Sequence, residues 1–153
     1  MTIKSFRGEI ANQATVKINL RTNDGKTGYR IIKLQMMPDN PGTSDVEHVI
    51  KIFAIEQTGT PTNQINFSDQ DLLASGYLVD SNSVGNTSYL STVFDNVIFN
   101  QDIFIEHKEA LDNQPCNYYL ELEQIKLNDN ETTMATLQSI RSSYESQSPA
   151  GPS

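Results

Sequence analysis

The sequence has little of what most protein chemistry needs: one cysteine, two histidines and no tryptophan in 153 residues. A single cysteine excludes an internal disulfide, and no run of Cys and His has the spacing of a metal site. The first ten residues lack the apolar stretch of a signal peptide, and no run approaches the ~20 apolar residues that span a bilayer. We therefore expect synthesis in the cytosol, no membrane partner, and no metal or other cofactor.

Basic residues are also few, with 11 Lys and Arg against 19 Asp and Glu, a net charge of -8 and a pI near 4.6. Nucleic acid binding depends on clusters of Lys and Arg that release counterions from phosphates. The basic residues here are scattered, so nucleic acid is not an expected partner. The length suits one domain that buries its own core.

Short alternating segments dominate the first third of the chain. Residues 15–20 alternate with the period of a half-buried strand, and Asn-Asp-Gly at 23–25 predicts a hairpin turn. Residues 29–37 are apolar on both faces, which is typical of a central strand. Alternation resumes over 46–55, and the pattern predicts that these last two segments form a long antiparallel pair.

The middle of the chain mixes strand and turn signals. Ser68 has an acid three residues on, the pattern of a helix start, so one or two helical turns are predicted up to Ala74, with Gly76 ending them. A polar loop is predicted over 80–88. The segment 117–127 alternates most clearly, with acids on the face turned towards water.

The end of the chain predicts a helix and then a tail. Asn128 or Asn130 can cap the helix. One apolar face is predicted from the three-to-four spacing of Met134, Leu137, Ile140 and Tyr144. We expect a single domain over 1–145 and a flexible tail over 146–153. The predicted fold is all-β: an antiparallel β-sandwich or jelly-roll-like domain with a short inserted helix and a C-terminal helix.

The two histidines lie in strand patterns, each beside an acid: Glu47 precedes His48, and Glu106 precedes His107. Strand neighbours point to opposite faces, so neither pair forms a local histidine–carboxylate relay. A metal site built from both histidines would require them to meet across strands, and the sequence offers no cluster to complete it. We predict structural or surface roles for both, and for Cys116 the role of a small, partly buried side chain.

Other possible sites have simpler explanations. Glu121 and Glu123 could mimic the paired carboxylates of a glycosidase, but a solvated strand face explains their spacing. The oxygen-rich positions 95–96, Asp102 and 128–131 could attract calcium, yet the EF-hand spacing is absent, so turn and cap chemistry is predicted. No Gly-x-Ser-x-Gly elbow is present. The chain is therefore not expected to be an enzyme.

Three segments carry a resemblance to a known class of protein. They are Asn-Gln-Asp-Ile-Phe-Ile at 100–105, Asn-Tyr-Tyr-Leu-Glu-Leu-Glu at 117–123 and Asn-Asp-Asn-Glu-Thr-Thr-Met-Ala-Thr-Leu at 128–137. With looser similarity over 31–55 and 67–73, the chain resembles small virion structural proteins of tailed phages that infect marine cyanobacteria and related hosts.

This resemblance implies a virion protein, assembled in the host cytoplasm and present in many copies. The role it implies is a capsid decoration or cement protein on the head lattice, a homo-oligomer bound to the major capsid protein or other virion proteins. The alternative is a tail, neck, baseplate or fibre component, including a module that binds host-surface glycans through Tyr77, Tyr89 and the loop at 80–88. The predicted partner contacts are Ile3, Phe6, Ile10, Ser81, Asn82, Tyr89 and Tyr144. Strand addition is expected along residues 3–10 or by the C-terminal tail.

Overall fold

The computed structural model describes residues 1–82, 85–94 and 96–147, with 139–147 described by their backbone alone. The elements are β1 (Thr2–Ile10), β2 (Thr15–Ile18), β3 (Thr27–Pro38), β4 (Val46–Phe53), β5 (Leu72–Ser81), β6 (Asn86–Val93), β7 (Ile103–Glu109), β8 (Cys116–Lys126) and α1 (Asp129–Gln147). Two antiparallel sheets pack face to face: sheet A in the order β1-β8-β3 and sheet B in the order β2-β7-β4-β5-β6. The predicted all-β sandwich is confirmed.

The core forms where the inner faces of the two sheets meet. In β8 every second residue points inward, which buries Tyr118, Leu120 and Leu122 as their alternation predicts. The same buried cluster includes, from sheet B, Ile50, Ile52, Ile103 and Ile105. Each of these side chains is completely buried and contributes about 1.5–3 kcal/mol relative to an exposed position.

Strand β3 lies at an edge of sheet A, so the prediction of a central strand over 29–37 is wrong. A β-bulge between Ile31 and Lys33 explains the misleading pattern. The bulge shifts the alternation by one residue, so Tyr29 and Ile31 before it and Leu34 after it all face the core. The strand that is buried on both faces is β4, in the middle of sheet B.

Both predicted strand pairings in the first third are also wrong. The turn at 23–25 does form, with Gly25 at φ 67° and its N–H 3.4 Å from the Thr22 carbonyl oxygen. However, β2 pairs with β7 and β3 pairs with β8. Strand β4 pairs with β5 and β7. The chain therefore changes sheet after β2 and again after β3, which the local chemistry of a turn does not reveal.

The predicted short inserted helix is replaced by turns that lead into β5. The Asn66 side chain accepts the Ser68 N–H at 3.0 Å, and the Asp69 side chain accepts the Asp71 N–H at 2.9 Å. These side chains satisfy local amides in turns, as they would at a helix start. Strand β5 then continues to Ser81, which shortens the predicted loop at 80–88; residues 83 and 84 lie outside the described part.

Helix α1 begins at the predicted cap. The Asn128 side chain accepts the Glu131 N–H at 2.8 Å, and the Glu131 carboxylate accepts the Asn128 N–H at 3.1 Å, forming a capping box. Residues 148–153 of the predicted tail lie outside the described part. No helix among the described residues is long and apolar enough to cross a membrane.

The predicted apolar face of α1 is not the face that packs. Met134 is 72% exposed and Leu137 is 56% exposed. The packed side instead carries Ala135, which is buried, and Thr136, whose hydroxyl oxygen accepts the Asn100 side-chain N–H at 2.8 Å. The side chains of Ile140 and Tyr144 lie outside the described part. Over its described side chains the helix thus docks through Ala135 and Thr136, which leaves Met134 and Leu137 at the surface.

Candidate functional site

Strand β6 is the most exposed strand, and it forms one edge of sheet B. Its sequence, Asn-Thr-Ser-Tyr-Leu-Ser-Thr-Val, contains no charged residue, proline or glycine. Leu90 is 71% exposed and Tyr89 is 38% exposed. Edge strands usually carry charges or proline that block pairing with another chain. Because β6 has neither, it is open to an added strand.

Strand β1, an edge of sheet A, is different in character. It too is mostly exposed and pairs with β8. Its exposed positions include Lys4, Arg7 and Glu9, together with Ile3 at 43% exposure. Charges of this kind disfavour edge-to-edge pairing. The prediction of strand addition along residues 3–10 therefore has less support than addition to β6.

An open groove of about 610 Å³ runs beside the β6 edge. It is lined by Arg7, Gly8, Glu9, Gln35, Met36, Met37, Tyr89, Asn117, Tyr118 and Tyr119. The volume falls within the range of ligand pockets, and methionine and tyrosine provide adaptable apolar contact. Tyr89 belongs to both β6 and the groove, and its hydroxyl donates to the Leu34 carbonyl oxygen at 2.6 Å. We call β6 and the groove together the edge surface.

The structure separates the predicted partner contacts into different environments. The exposed ones are Ile3, Asn82 and Tyr89. Phe6 is half-buried against the core, and half-buried Ser81 donates its hydroxyl to the Asp45 carboxylate at 3.3 Å. Ile10 is 1% exposed, so its prediction as a contact is wrong: the alternation of β1 turns it inward at the end of the strand. Tyr144 has its side chain outside the described part.

A second cluster lies inside the sandwich, at the end where β4, β7 and β8 approach one another. His48 in β4, His107 in β7 and Cys116 in β8 are each completely buried. Their ligand atoms lie within 4.8 Å of one another. The histidines come from sheet B and the cysteine from sheet A, so the cluster bridges the two sheets. The prediction that nothing completes a histidine pair is therefore wrong.

Hydrogen bonds define the proton positions on the two imidazoles. His107 Nδ1 lies 3.0 Å from the Ala11 carbonyl oxygen, which can only accept, so Nδ1 carries the proton. In the neutral ring His107 Nε2 must then accept, and it lies 2.8 Å from His48 Nδ1. His48 consequently donates from Nδ1 and presents an unprotonated Nε2. That buried Nε2 atom has no hydrogen-bond partner.

Burial keeps all three groups neutral. It lowers the pKa of His48 to about 4, with a further lowering from the nearby His107. Burial likewise lowers the pKa of His107, against the raising effect of its bond to Ala11. Burial raises the pKa of the Cys116 thiol to about 12. The thiol makes weak contacts with two carbonyl oxygens, that of Met37 at 3.6 Å and that of Asn117 at 3.4 Å.

The acids beside the histidines do not contribute to this cluster. The Glu47 carboxylate accepts a hydrogen bond from the Tyr77 hydroxyl. Glu106 lies opposite Lys51 on the other face of sheet B, and burial raises its pKa. The prediction that neither pair forms a local relay is therefore confirmed, since His48 and His107 point the other way.

The remaining sequence candidates are engaged separately. Glu121 accepts the Tyr119 hydroxyl at 2.7 Å, and Glu123 forms an ion pair with Arg30 at 2.6 Å. Asp102 accepts the N–H groups of residues 20 and 21 at 2.8 and 2.9 Å. The capping box of α1 confirms the predicted cap chemistry at 128–131, whereas Asp102 joins distant parts of the chain instead of a local turn. Position 95 lies outside the described part.

Comparison of the chain with protein-family models, curated protein sequences and solved structures found no match in any of the three.

Proposed function

We propose that this protein is a non-enzymatic structural component of a tailed phage particle, a decoration or cement protein bound to the head lattice through its edge surface. The observation that carries the binding mode is the exposed, uncharged strand β6. The resemblance of residues 100–105, 117–123 and 128–137 supports the location in a virion.

The edge surface suits an extended segment of a capsid protein. Such a segment would add to β6 through backbone hydrogen bonds, and its alternate side chains would contact Leu90 on one face and the region of Tyr89 on the other. The net charge of -8 opposes pairing between free copies of the chain. Binding to a regular lattice then depends on the partner's strand rather than on self-association.

Electron cryomicroscopy of the particle, with icosahedral averaging of the head, tests the proposal. Density for this chain at regular lattice positions is expected, with β6 against the capsid protein. Density restricted to the tail, or none on the head, would refute the decoration role.

A variant pair tests the binding mode. Leu90→Lys places a charge on the exposed edge strand, and Met134→Lys places the same charge at an equally exposed apolar position on α1. We expect the Leu90 variant to lose occupancy on heads reconstituted from stripped particles and the Met134 variant to retain it. Equal occupancy of both would exclude β6 as the docking edge.

The alternative role, a module that binds host glycans, draws support from the groove. Tyr89 and Tyr119 line it beside the polar side chains of Gln35 and Asn117, a combination that can stack on and hydrogen-bond to a sugar. Tyr77 fits less well, because it is half-buried and its hydroxyl is bound to Glu47. Glycan binding that disappears in Tyr119→Ala would favour this alternative, and no binding to host polysaccharide would remove it.

A further inference from the structure

We propose that His48, His107 and Cys116 form a binding site for one zinc ion, which joins the two sheets of the sandwich. The proposal goes beyond the assembly role and does not depend on it. It rests on the convergence of the three groups from β4, β7 and β8 and on the unpartnered His48 Nε2 atom.

The donor set matches the chemistry of zinc. Imidazole nitrogen and thiolate sulfur are its usual ligands, whereas magnesium and calcium require oxygen. His107 is already in the correct tautomer, because its Nδ1–H donates to the Ala11 carbonyl oxygen, and Nε2 would bind the ion in place of its hydrogen bond from His48 Nδ1. A backbone carbonyl that orients the far side of a ligating histidine is a common supporting contact in metal sites.

The unpartnered His48 atom is a second observation, independent of the clustering, that points to a ligand at this site. A buried polar atom without a partner costs roughly 1–3 kcal/mol, and His48 Nε2 is such an atom in a completely buried side chain. Coordination through His48 Nε2 would give this atom a partner and would replace the hydrogen bond between His48 Nδ1 and His107 Nε2.

The geometry requires only a small adjustment. Tetrahedral zinc with normal bond lengths places its nitrogen and sulfur ligands roughly 3.3–3.6 Å apart. In the cluster the atoms lie within 4.8 Å, and the two imidazoles approach to 2.8 Å at His48 Nδ1 and His107 Nε2. Three zinc bonds would form if side-chain movements of about 1 Å separated the two rings and brought the Cys116 sulfur closer.

A small cavity that is lined by His48, though not by His107 or Cys116, lies next to the cluster. It has a volume of about 100 Å³ and is lined by Asp39 and Gln114 among other residues. This is enough for a water molecule bound to the metal, because one water needs about 10–15 Å³.

The Cys116 thiolate and nearby carboxylates balance the charge of the ion. Binding converts the Cys116 thiol to a thiolate and releases its proton to solvent, so Zn²⁺ and thiolate together carry one positive charge. Glu109, Asp39 and Asp80 all act electrostatically on His48 in the direction that favours positive charge. Burial and the nearby His107 act more strongly in the opposite direction, so the thiolate supplies most of the charge that balances the ion.

The experiment is titration of the reduced, chelator-treated protein with Co²⁺, a spectroscopic substitute for zinc, followed by displacement with Zn²⁺. We expect saturation at one equivalent, a thiolate-to-cobalt charge-transfer band, and a higher melting temperature with Zn²⁺ but not with Mg²⁺. Cys116→Ala should abolish the band, and His107→Gln should weaken affinity by more than about 100-fold, beyond the loss typical of changes behind a ligand. The control Ser75→Ala removes one γ atom from another buried strand residue and should leave binding unchanged.

Two results would overturn the proposal. One is the absence of saturable binding of Co²⁺ and Zn²⁺ by the folded wild-type protein. The other is binding that lacks the thiolate band or survives in Cys116→Ala and His107→Gln, which would show that exposed carboxylates hold the ion. If a variant fails to fold, the wild-type cobalt spectrum and the imidazole nitrogen resonances with and without Zn²⁺ still show whether the thiolate and the two histidines bind the ion.

Discussion

Glu109, at the end of β7, allows a sharp test of how this end of the sandwich is held together. The residue is 2% exposed, and its carboxylate accepts four backbone N–H groups. The donors are Glu47 at 3.0 Å, Leu111 at 2.6 Å, Asp112 at 2.5 Å and Gln114 at 3.3 Å. One carboxylate therefore organises the β7–β8 turn and joins it to β4.

The substitution Glu109→Gln removes the charge while keeping the shape. It also turns an amide NH₂ group towards backbone donors, so some of those donors lose their acceptor. Hydrogen bonds to a charged group contribute about 1.5–3 kcal/mol each, but turn amides can recover water, so we expect a total loss of about 2–3 kcal/mol at neutral pH. The control Glu56→Gln, at an exposed position, should change stability by less than about 0.5 kcal/mol.

The pH dependence of the stability difference tests whether the charge of Glu109 causes the loss. Burial raises the pKa of Glu109, but its bonds from the four N–H groups lower it more, and the net result is below the ordinary 4.5. A lowered pKa means that the ionised group stabilises the fold above about pH 4.5 and that this stabilisation is lost as pH falls through the folded-state pKa.

Urea denaturation of both proteins between pH 7 and pH 3 measures the effect. The stability difference between wild type and Glu109→Gln should stay constant above about pH 5.5 and narrow below pH 4.5. Glu109 raises the pKa of both buried histidines, so its replacement also lowers their pKa values, and the measured narrowing contains both contributions. A difference that is equal at pH 7 and pH 3, or under about 0.5 kcal/mol at pH 7, would refute the reasoning.

Three further predictions concern other parts of the fold. Cys116 is completely buried and burial raises its pKa to about 12, so iodoacetamide should label metal-free native protein far more slowly than urea-unfolded protein; mass spectrometry that shows equal rates would contradict this. Gly76→Ala should cost about 1–3 kcal/mol in thermal unfolding, because the added Cβ overlaps the Met36 sulfur. Asn128→Ala removes the cap bond to Glu131 and should cost about 1 kcal/mol, with a reduced helical circular dichroism signal; an unchanged signal and stability would count against the cap.

Local patterns predicted much of the secondary structure. The alternation of Tyr118, Leu120 and Leu122 identified β8 and its inner face, because side-chain direction in a strand has a period of two residues. The Asn128 cap was also predictable, because its hydrogen bonds reach only three residues along the chain. The bulge at Ile31–Lys33 misled the interpretation of β3, since it shifts the period within a single strand.

The helix shows the limit of local information in another way. Met134 and Leu137 have the spacing of a buried stripe, yet they are exposed while Ala135 packs. Which side of a helix packs depends on the surface that it meets. Here the helix lies next to Asn100, so Ala135 and Thr136 face the sheets. Spacing alone does not contain that information.

Local sequence patterns identified the all-β class, the inward face of β8, the cap of α1, the absence of an internal disulfide and the net negative charge. The pairing of the strands, the open edge at β6 and the meeting of His48, His107 and Cys116 depend on the three-dimensional fold. The two histidines are separated by 59 residues and Cys116 comes from the other sheet. Alternation and turn chemistry act over a few residues, whereas pairing between sheets is decided by how the whole chain buries its apolar surface.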